Sequence, residues 1–533
     1  MSLGQLWTFL GVALPVLAAL LVPMPSVDLT YQLRAGADIL AGNGIPTVDT
    51  WTFTVAGAPW LDQQWGAQVL LTAAYQLGGW TGLAVLRAAL VAIAFGLLGA
   101  TLRSIDCGAR PATILTLLAF NVAAPALALR PQLFAIALFA ATIWILAGRR
   151  EHPRRLLLIP LIAISWANLH GSFPLVVVLV ALGWLDELIR ARREWATSAA
   201  QPAPGAPAPG APAPEAGRVL GSTGIALIGA VSAIATLVTP FGLDTWRYVA
   251  NLAANPAVSG RVSEWRPPSP VDPAGAIFYV SLASVLAIVV LRIRADGGVK
   301  REWLPPIATI LVFGALGAVT GRGLAWWALA APVAAATLAH EGGLTAQLPR
   351  VLRPLGALFR DSPPRRSTRG NRLNGVVAAV LILAGVVLLP FWRPTGPLGV
   401  PVGALSHAPE GIAAELRTVL REGDFPGGFA VWNPQTWGSW LEWAVPDLLY
   451  TVDSRIELFP PDLWDDVALV SAGSAETGSI LDTYKVRVVV LTAEERIAVE
   501  PVIERAGFVL RYEDADGSIW IRTGIALGDS SGT

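Results

Sequence analysis

Asp28, in the stretch VDLTYQLRAG (Val27–Gly36), follows an apolar run and the breaker Pro23-Met24-Pro25 within about one helical turn. A carboxylate held at a bilayer surface is partly desolvated, which raises its pKa toward the range useful to a general base. Asp is also a preferred helix N-cap, and the helical pattern of LTYQLRAGADIL offers Asp28 that plainer use. Its loop, residues 23–63, is acidic, with Asp38, Asp49 and Asp62 joining Asp28 against the single Arg34. The irregular Gly-Pro chemistry there (GNGIPTVDTWTF, AGAPW) suits a loop that carries a site on a rigid scaffold. Three tight turns hold the complementary groups: Arg130 and Gln132 in LALRPQLFA, Asn168 and His170 in WANLHGSFP, and Arg322 in VTGRGLAWW. Arginine in so tight a membrane-surface turn calls for an anion, such as a lipid phosphate, or a water-filled cavity. Snorkelling at headgroup level is the simpler alternative. His170, one of 4 histidines, reads as a hydrogen-bonded structural residue ahead of a ligand. The segment 240–273 adds Glu264 and Trp265, and an isolated acid in such a loop is ordinarily solvated. In DSRIELFPPDLWDD, Asp453, Arg455 and Glu457 gather at a strand end, fit either for a site or for an arginine–carboxylate latch.

Positioning these residues requires a membrane frame. Of 533 residues 54% are hydrophobic and 14% charged, and the mean hydropathy is +0.56, more apolar surface than a soluble core of this length needs. Apolar segments long enough to cross about 30 Å of hydrocarbon recur near 5–22, 80–102, 111–129, 131–148, 155–169, 173–190, 219–239, 275–293, 303–320, 322–340 and 374–392. The expected fold is therefore a polytopic α-helical membrane protein of about 11 transmembrane helices in residues 1–392, with a soluble α/β domain at 393–533. The first apolar run lacks a basic n-region and a small-residue cleavage site, so it reads as a retained span. QQWGAQVLLTAAYQLGGW reads as an amphipathic interfacial helix, about 63–79. Basic residues concentrate in alternate loops (RREHPRR, RARRE, RIRADGGVKRE and the stretch ending RRSTRGNR), which places the N-terminus in the cytoplasm and the C-terminal domain outside the plasma membrane. The repeat QPAPGAPAPGAPAPEAG makes 196–217 an extended cytoplasmic linker.

The C-terminal domain alternates short strands (GGFAVWN, LLYTVDS, VRVVVLT) with amphipathic helices and closes on the hairpin FVLRYEDADGSIWIRT. Its tryptophans 432, 437, 440, 443 and 464 suit stacking on sugar rings, though core packing and membrane anchoring account for them more simply. The single Cys107 excludes an internal disulfide, and 38 basic residues balancing 38 acidic ones argue against a nucleic-acid partner.

In order along the chain, VDLTYQLRAGADILAGNGIPTVDTWTFTVAGAPWLDQQW, GGWTGLAVLRA, LRPQLF, NLHGSF, TPFG with SEW, GRGLAWWALAAP, VWNPQTWGSWLEW and DSRIELFP make the sequence resemble the GT-C superfamily of polyprenyl-phosphate-dependent membrane glycosyltransferases. The likeness runs nearly end to end, closest to bacterial members with an outer C-terminal domain. It implies transfer of a sugar, with inversion, from a polyprenyl-phosphate donor to a hydroxyl of a cell-envelope glycan, lipid or protein acceptor. The first-loop aspartate of that group maps onto Asp28 as catalytic base, with Asp49 second. Arg130, Gln132, His170 and Arg322 would face the donor phosphate, and Asp62, Asn168, Glu264, Asp453 and Arg455 would serve the acceptor or assist. Some superfamily members use a divalent metal, and the sequence leaves that open. Where relatives carry an aromatic-His pair and His-Glu-Trp-Leu, this chain has Tyr31 with Arg34 and Gln63-Gln64-Trp65-Gly66, so Asp62 is the carboxylate nearest the lost glutamate. The competing class is a non-catalytic protein, either a glycan-lipid transporter or an assembly scaffold with a glycan- or partner-binding outer domain. A transporter needs ionisable residues at mid-membrane depth, and here Arg87 is the chief one.

Overall fold

The computed structural model describes residues 1–200, 221–340, 371–422 and 429–522. The Pro-Ala-Gly repeat at 201–217 and most of the basic stretch before Arg372 lie outside them; residues 196–200 end the helix Pro174–Ala200.

Each apolar segment named above coincides with a helix. Among the described residues four helices, Leu3–Leu21, Trp65–Ser104, Pro273–Asp296 and the run Arg301–Val319, are long and apolar enough to cross a membrane, and Pro131–Ala147, Ser222–Ala235 and Arg372–Leu388 are shorter apolar helices. Helix Trp65–Ser104 leaves helical geometry at Gly78 and Gly79, the latter at φ 56°. That left-handed value costs a glycine little, and the break separates residues 65–77 from the apolar second half.

The described chain forms two compact units. The first, Met1–Leu21, Arg87–Val249 and Val262–Leu388, is a helical bundle. Many of its outward side chains are aliphatic, among them Leu227, Ile234, Val280, Leu311 and Leu383, a surface that hydrocarbon solvates and water does not. Arg87 is buried within it and its Nε donates to the Leu127 carbonyl at 3.0 Å, so this arginine has a backbone partner.

The second unit, Val22–Leu86, Ala250–Arg261 and Leu389–Thr533, is built on a five-stranded sheet. After β1 (Met24–Pro25) and β2 (Leu405–Ser406), which pair in parallel, come β3 (Ala430–Trp432), β4 (Leu449–Tyr450), β5 (Val488–Thr492), β6 (Phe508–Glu513) and β7 (Gly517–Arg522). The sheet order is β4-β3-β5-β7-β6, with β3 parallel to both neighbours and β5, β7 and β6 antiparallel in turn. The β6–β7 hairpin turns where the sequence places its Asp-Gly, the Asp514 carboxylate accepting from the backbone N–H of Asp516 and Gly517. All-aliphatic Val488–Leu491 is buried on both faces, with Trp432, Leu481, Ile503 and Trp520 packed against it. The helix after β5 starts with a capping box, Thr492 and Glu495 each satisfying the other's backbone N–H.

The loop after the first apolar helix belongs to this unit. Thr52 bridges Tyr450 in parallel register, Phe53 N–H donates to the Tyr450 carbonyl at 3.1 Å, and Tyr450 N–H donates to the Trp51 carbonyl at 3.2 Å, so residues 51–53 extend the sheet beyond β4. Thr54 Oγ1 donates to the Thr451 carbonyl and Ser454 Oγ to that of Val27.

Candidate functional site

In the sheet-bearing unit the carboxylates of the first loop and those of the C-terminal segment meet around one arginine. Arg455 is 1% exposed; its Nη2 donates to Asp49 Oδ1 at 2.6 Å and also to Asp453 Oδ2, to which Nε donates at 2.8 Å. The guanidinium lies 4.4 Å from the Trp51 ring and 4.5 Å from Trp60, two rings that meet edge to face. Burial opposes the charge on this arginine; Asp453, Glu442 and Asp49 outweigh that and hold its pKa above the ordinary value. The second oxygen of Asp49 accepts from the Thr52 hydroxyl at 2.7 Å and the Thr52 N–H at 3.1 Å. Asp49, an expected catalytic residue, thus has both oxygens committed, and Asp453–Arg455 forms the latch that was one of two readings of that motif.

Helix Gln435–Ala444 supplies a residue that the sequence analysis passed over. Glu442 is fully buried, and no donor among the described residues reaches either of its oxygens. Burial, then the neighbouring Asp453 carboxylate, push its pKa well above the usual carboxylate range and favour the protonated form, which can donate to Asp453. The signal was present: WLEW sets one acid on the buried face of a Trp/Leu helix, where an acid must be paired or neutral.

Gly438 explains the Trp-Gly spacing of that helix. A Cβ there would lie 2.0 Å from the Val452 carbonyl oxygen and 2.8 Å from Asp453 Cα, so only glycine lets the helix touch the strand end that carries Asp453. Asn433 ties the same strand end, donating to the Val452 carbonyl and accepting from Thr451 N–H. Gly438→Ala should therefore lower stability by about 1–3 kcal/mol through overpacking, although Gly→Ala inside an unobstructed helix stabilises by up to about 1 kcal/mol. Thermal unfolding gives the sign, and an unchanged or raised Tm would contradict the contact.

Helix Ser26–Leu40 carries Asp28 and Tyr31. It begins at Ser26 after Pro25, and no side chain caps it, so Asp28 stands in the first turn and not at the N-cap. The N-cap reading is corrected for a simple reason: Pro25 already presets the entry, and Asp28 is helical. Asp28 is half-buried. Tyr31 is pushed well above the usual phenol range by burial first and then by the charges of Asp28, Glu457, Asp62 and Asp453, so its hydroxyl stays protonated. Gln32 Nε2 donates to the Tyr31 oxygen and to Gln64 Oε1, so the Gln64 amide oxygen serves as an acceptor. Arg34 reaches the Glu442 and Pro446 carbonyls at 2.9 and 3.1 Å and stacks on Trp51 at 4.8 Å.

Asp62 is 3% exposed; Gln68 Nε2 donates to its Oδ1 at 2.7 Å, while no donor among the described residues reaches Oδ2. Burial raises its pKa to about 7 against the opposing pull of Gln68 and Arg455. A carboxylate half ionised at neutral pH is matched to proton transfer. Among the described residues no group of three or more His, Cys, Asp or Glu is arranged to hold a metal ion.

In the helical unit the residues expected to face phosphate also come together. Arg130, preceding helix Pro131–Ala147, places Nη2 2.6 Å from Glu264 Oε1, and Arg322 Nε lies 3.4 Å from Glu264 Oε2 and stacks on Trp265 at 4.8 Å. Glu264 is therefore not the isolated, solvated acid expected. Burial opposes its ionisation, but the two arginines outweigh that and hold it below the usual glutamate range. His170 is kept uncharged by burial, then by Arg322 and Arg130, and its Nδ1 accepts the Ser172 N–H at 3.1 Å. Gln132 is buried in the first turn of the helix after Arg130. Asn168 donates to the Ile164 and Val238 carbonyls, a structural tie.

No family model matches the chain, and no curated protein does. An oligosaccharyltransferase of Archaeoglobus fulgidus in the apo form is similar with TM-score 0.50 at 12% identity, over 98% of this chain and 74% of that one. The same enzyme tethered to an acceptor peptide containing the NVT sequon gives TM-score 0.51 at 11% identity over 97% and 74%. ArnT from Cupriavidus metallidurans in the apo state is 14% identical over 96% of both chains, with TM-score 0.44. At these identities the likeness to the oligosaccharyltransferase structures is one of fold.

Proposed function

We propose that this chain is a membrane glycosyltransferase that moves a sugar, with inversion, from a polyprenyl-phosphate donor to the hydroxyl of a cell-envelope glycan, lipid or protein acceptor. The observation that carries the reading is an oligosaccharyltransferase fold across nearly the whole chain, bearing a half-buried Asp28 on the same helix as Tyr31, whose phenol the charges of Asp28, Glu457, Asp62 and Asp453 help keep protonated. In this reading about eleven helices cross the plasma membrane, the N-terminus is cytoplasmic, and the sheet-bearing residues 393–533 are extracytoplasmic, as the basic-loop asymmetry supports.

The acceptor oxygen attacks the anomeric carbon as the bond to the phosphate oxygen breaks. Asp28 takes the acceptor proton, and Asp62, titrating near neutrality, is the second base candidate. The departing phosphate requires positive charge, which Arg130 and Arg322 carry. Asp49 and Asp453 act by fixing Arg455, not by touching substrate. Asp28→Asn should reduce transfer from a panel of polyprenyl-phosphate sugars in membranes by roughly a hundredfold or more with Tm unchanged. Full activity in that variant removes Asp28 from the chemistry.

A further inference from the structure

The phosphate-facing arginines are bridged by an acid. Glu264 takes Arg130 on one carboxylate oxygen and Arg322 on the other, at 2.6 and 3.4 Å. Its backbone is anchored at two points, Thr320 Oγ1 donating to the Glu264 carbonyl at 2.8 Å and, two residues on, Gly321 N–H to that of Arg266 at 2.9 Å. The carboxylate is thus held at the arginines and is not a passing surface contact. Arg266 itself is exposed, where solvent and salt screen its charge. A purely cationic clamp would grip a phosphate harder the more charge it carried.

We infer that Glu264 is a counter-ligand in this clamp, biasing it toward the singly charged phosphodiester of a sugar donor and against the doubly charged monoester that transfer leaves behind. The inference rests on the donor class proposed above. When the anomeric C–O bond breaks, its electron pair stays on the phosphate oxygen and the acceptor proton goes to the base, so a diester with one charge becomes a monoester. The second ionisation of a phosphate monoester lies near pH 6, so the spent carrier approaches two charges above neutrality. A fixed carboxylate a few ångströms away repels that second charge as well as the first. Whatever attraction the arginines and nearby helix ends provide, Glu264 lowers the affinity for product more than for donor, by about tenfold or more at this range. It thereby eases release of the carrier, a step that often limits turnover.

The test uses the full-length protein in nanodiscs, with a polyprenyl phosphate and a non-transferable polyprenyl phosphodiester as probes. Glu264→Gln is expected to tighten the monoester about tenfold or more at pH 8 and the diester by a clearly smaller factor. At pH 5 the monoester carries one charge, and the two factors should converge. Glu264→Asp, which keeps the charge, should stay near the wild-type ratio and shows that the site survives substitution. Equal tightening of both probes, or weakening of both, overturns the inference. Competition by a short-chain phospholipid as effective as by the polyprenyl diester would make the clamp a headgroup site and overturn it too. A folded wild type that binds neither polyprenyl probe overturns instead the donor class proposed above.

Discussion

Replacing Arg455 with methionine is expected to destabilise the sheet-bearing unit by about 3–5 kcal/mol, the usual consequence of removing one partner from a buried ion pair. Asp49 and Asp453 would keep their burial and lose their shared cation, with Glu442 beside them. Two tryptophan rings at 4.4 and 4.5 Å would lose the guanidinium stacked on them. In a unit of this size the fall in Tm should be on the order of 10 °C, readable from tryptophan fluorescence in detergent. Arg455→Lys should be intermediate, since one ammonium cannot repeat the forked contact or the stacking. Asp49→Asn combined with Asp453→Asn and Arg455→Met should recover much of the loss, because an uncharged cluster leaves no orphaned ion. An unchanged Tm in the single variant would mean that Arg455 does not hold the loop to the strand end.

That latch also marks where sequence reading ends. The apolar segments were legible because crossing hydrocarbon fixes both length and composition, and the C-terminal strands because Val488–Thr492 and the Asp-Gly hairpin follow local rules. No local rule pairs Asp49 with Arg455, 406 residues apart. The motifs GNGIPTVDTWTF and DSRIELFP were each visible, but their partnership is created by the pairing of residues 51–53 with β4. The same holds for Arg130 and Glu264, 134 residues apart, where charge and turn chemistry suggested an anion for the arginine without saying that the chain supplies one. The N-cap expected at Asp28 failed because Pro25 starts the helix earlier. Glu442 was legible only in part: WLEW sets one acid among tryptophans and leucine, but that the acid itself is buried emerges only from the packing of the helix.

Asp62→Asn is expected to stabilise the folded protein at alkaline pH while leaving it nearly unchanged in acid. Burial raises the folded-state pKa of Asp62 to about 7, above its unfolded value. Between the two values the folded state holds a proton that the unfolded state has lost, so stability falls as pH rises through this window, and the full cost of a buried charge is reached above pH 7. The linkage puts that cost at no more than about 4 kcal/mol at pH 8. Asparagine has no charge to bury and can still accept from Gln68, the partner that holds Oδ1 at 2.7 Å. Tm measured from pH 4 to pH 9 should therefore fall for the wild type and stay flatter for the variant, the curves meeting near pH 4. Coincident curves would show that Asp62 is ionised throughout, and with it would go the match to proton transfer. A site that retains an acid at such a cost in stability, when an amide would fit the same hydrogen bond, does so for what the acid does; an asparagine variant that is more stable and less active would separate that use from any structural one.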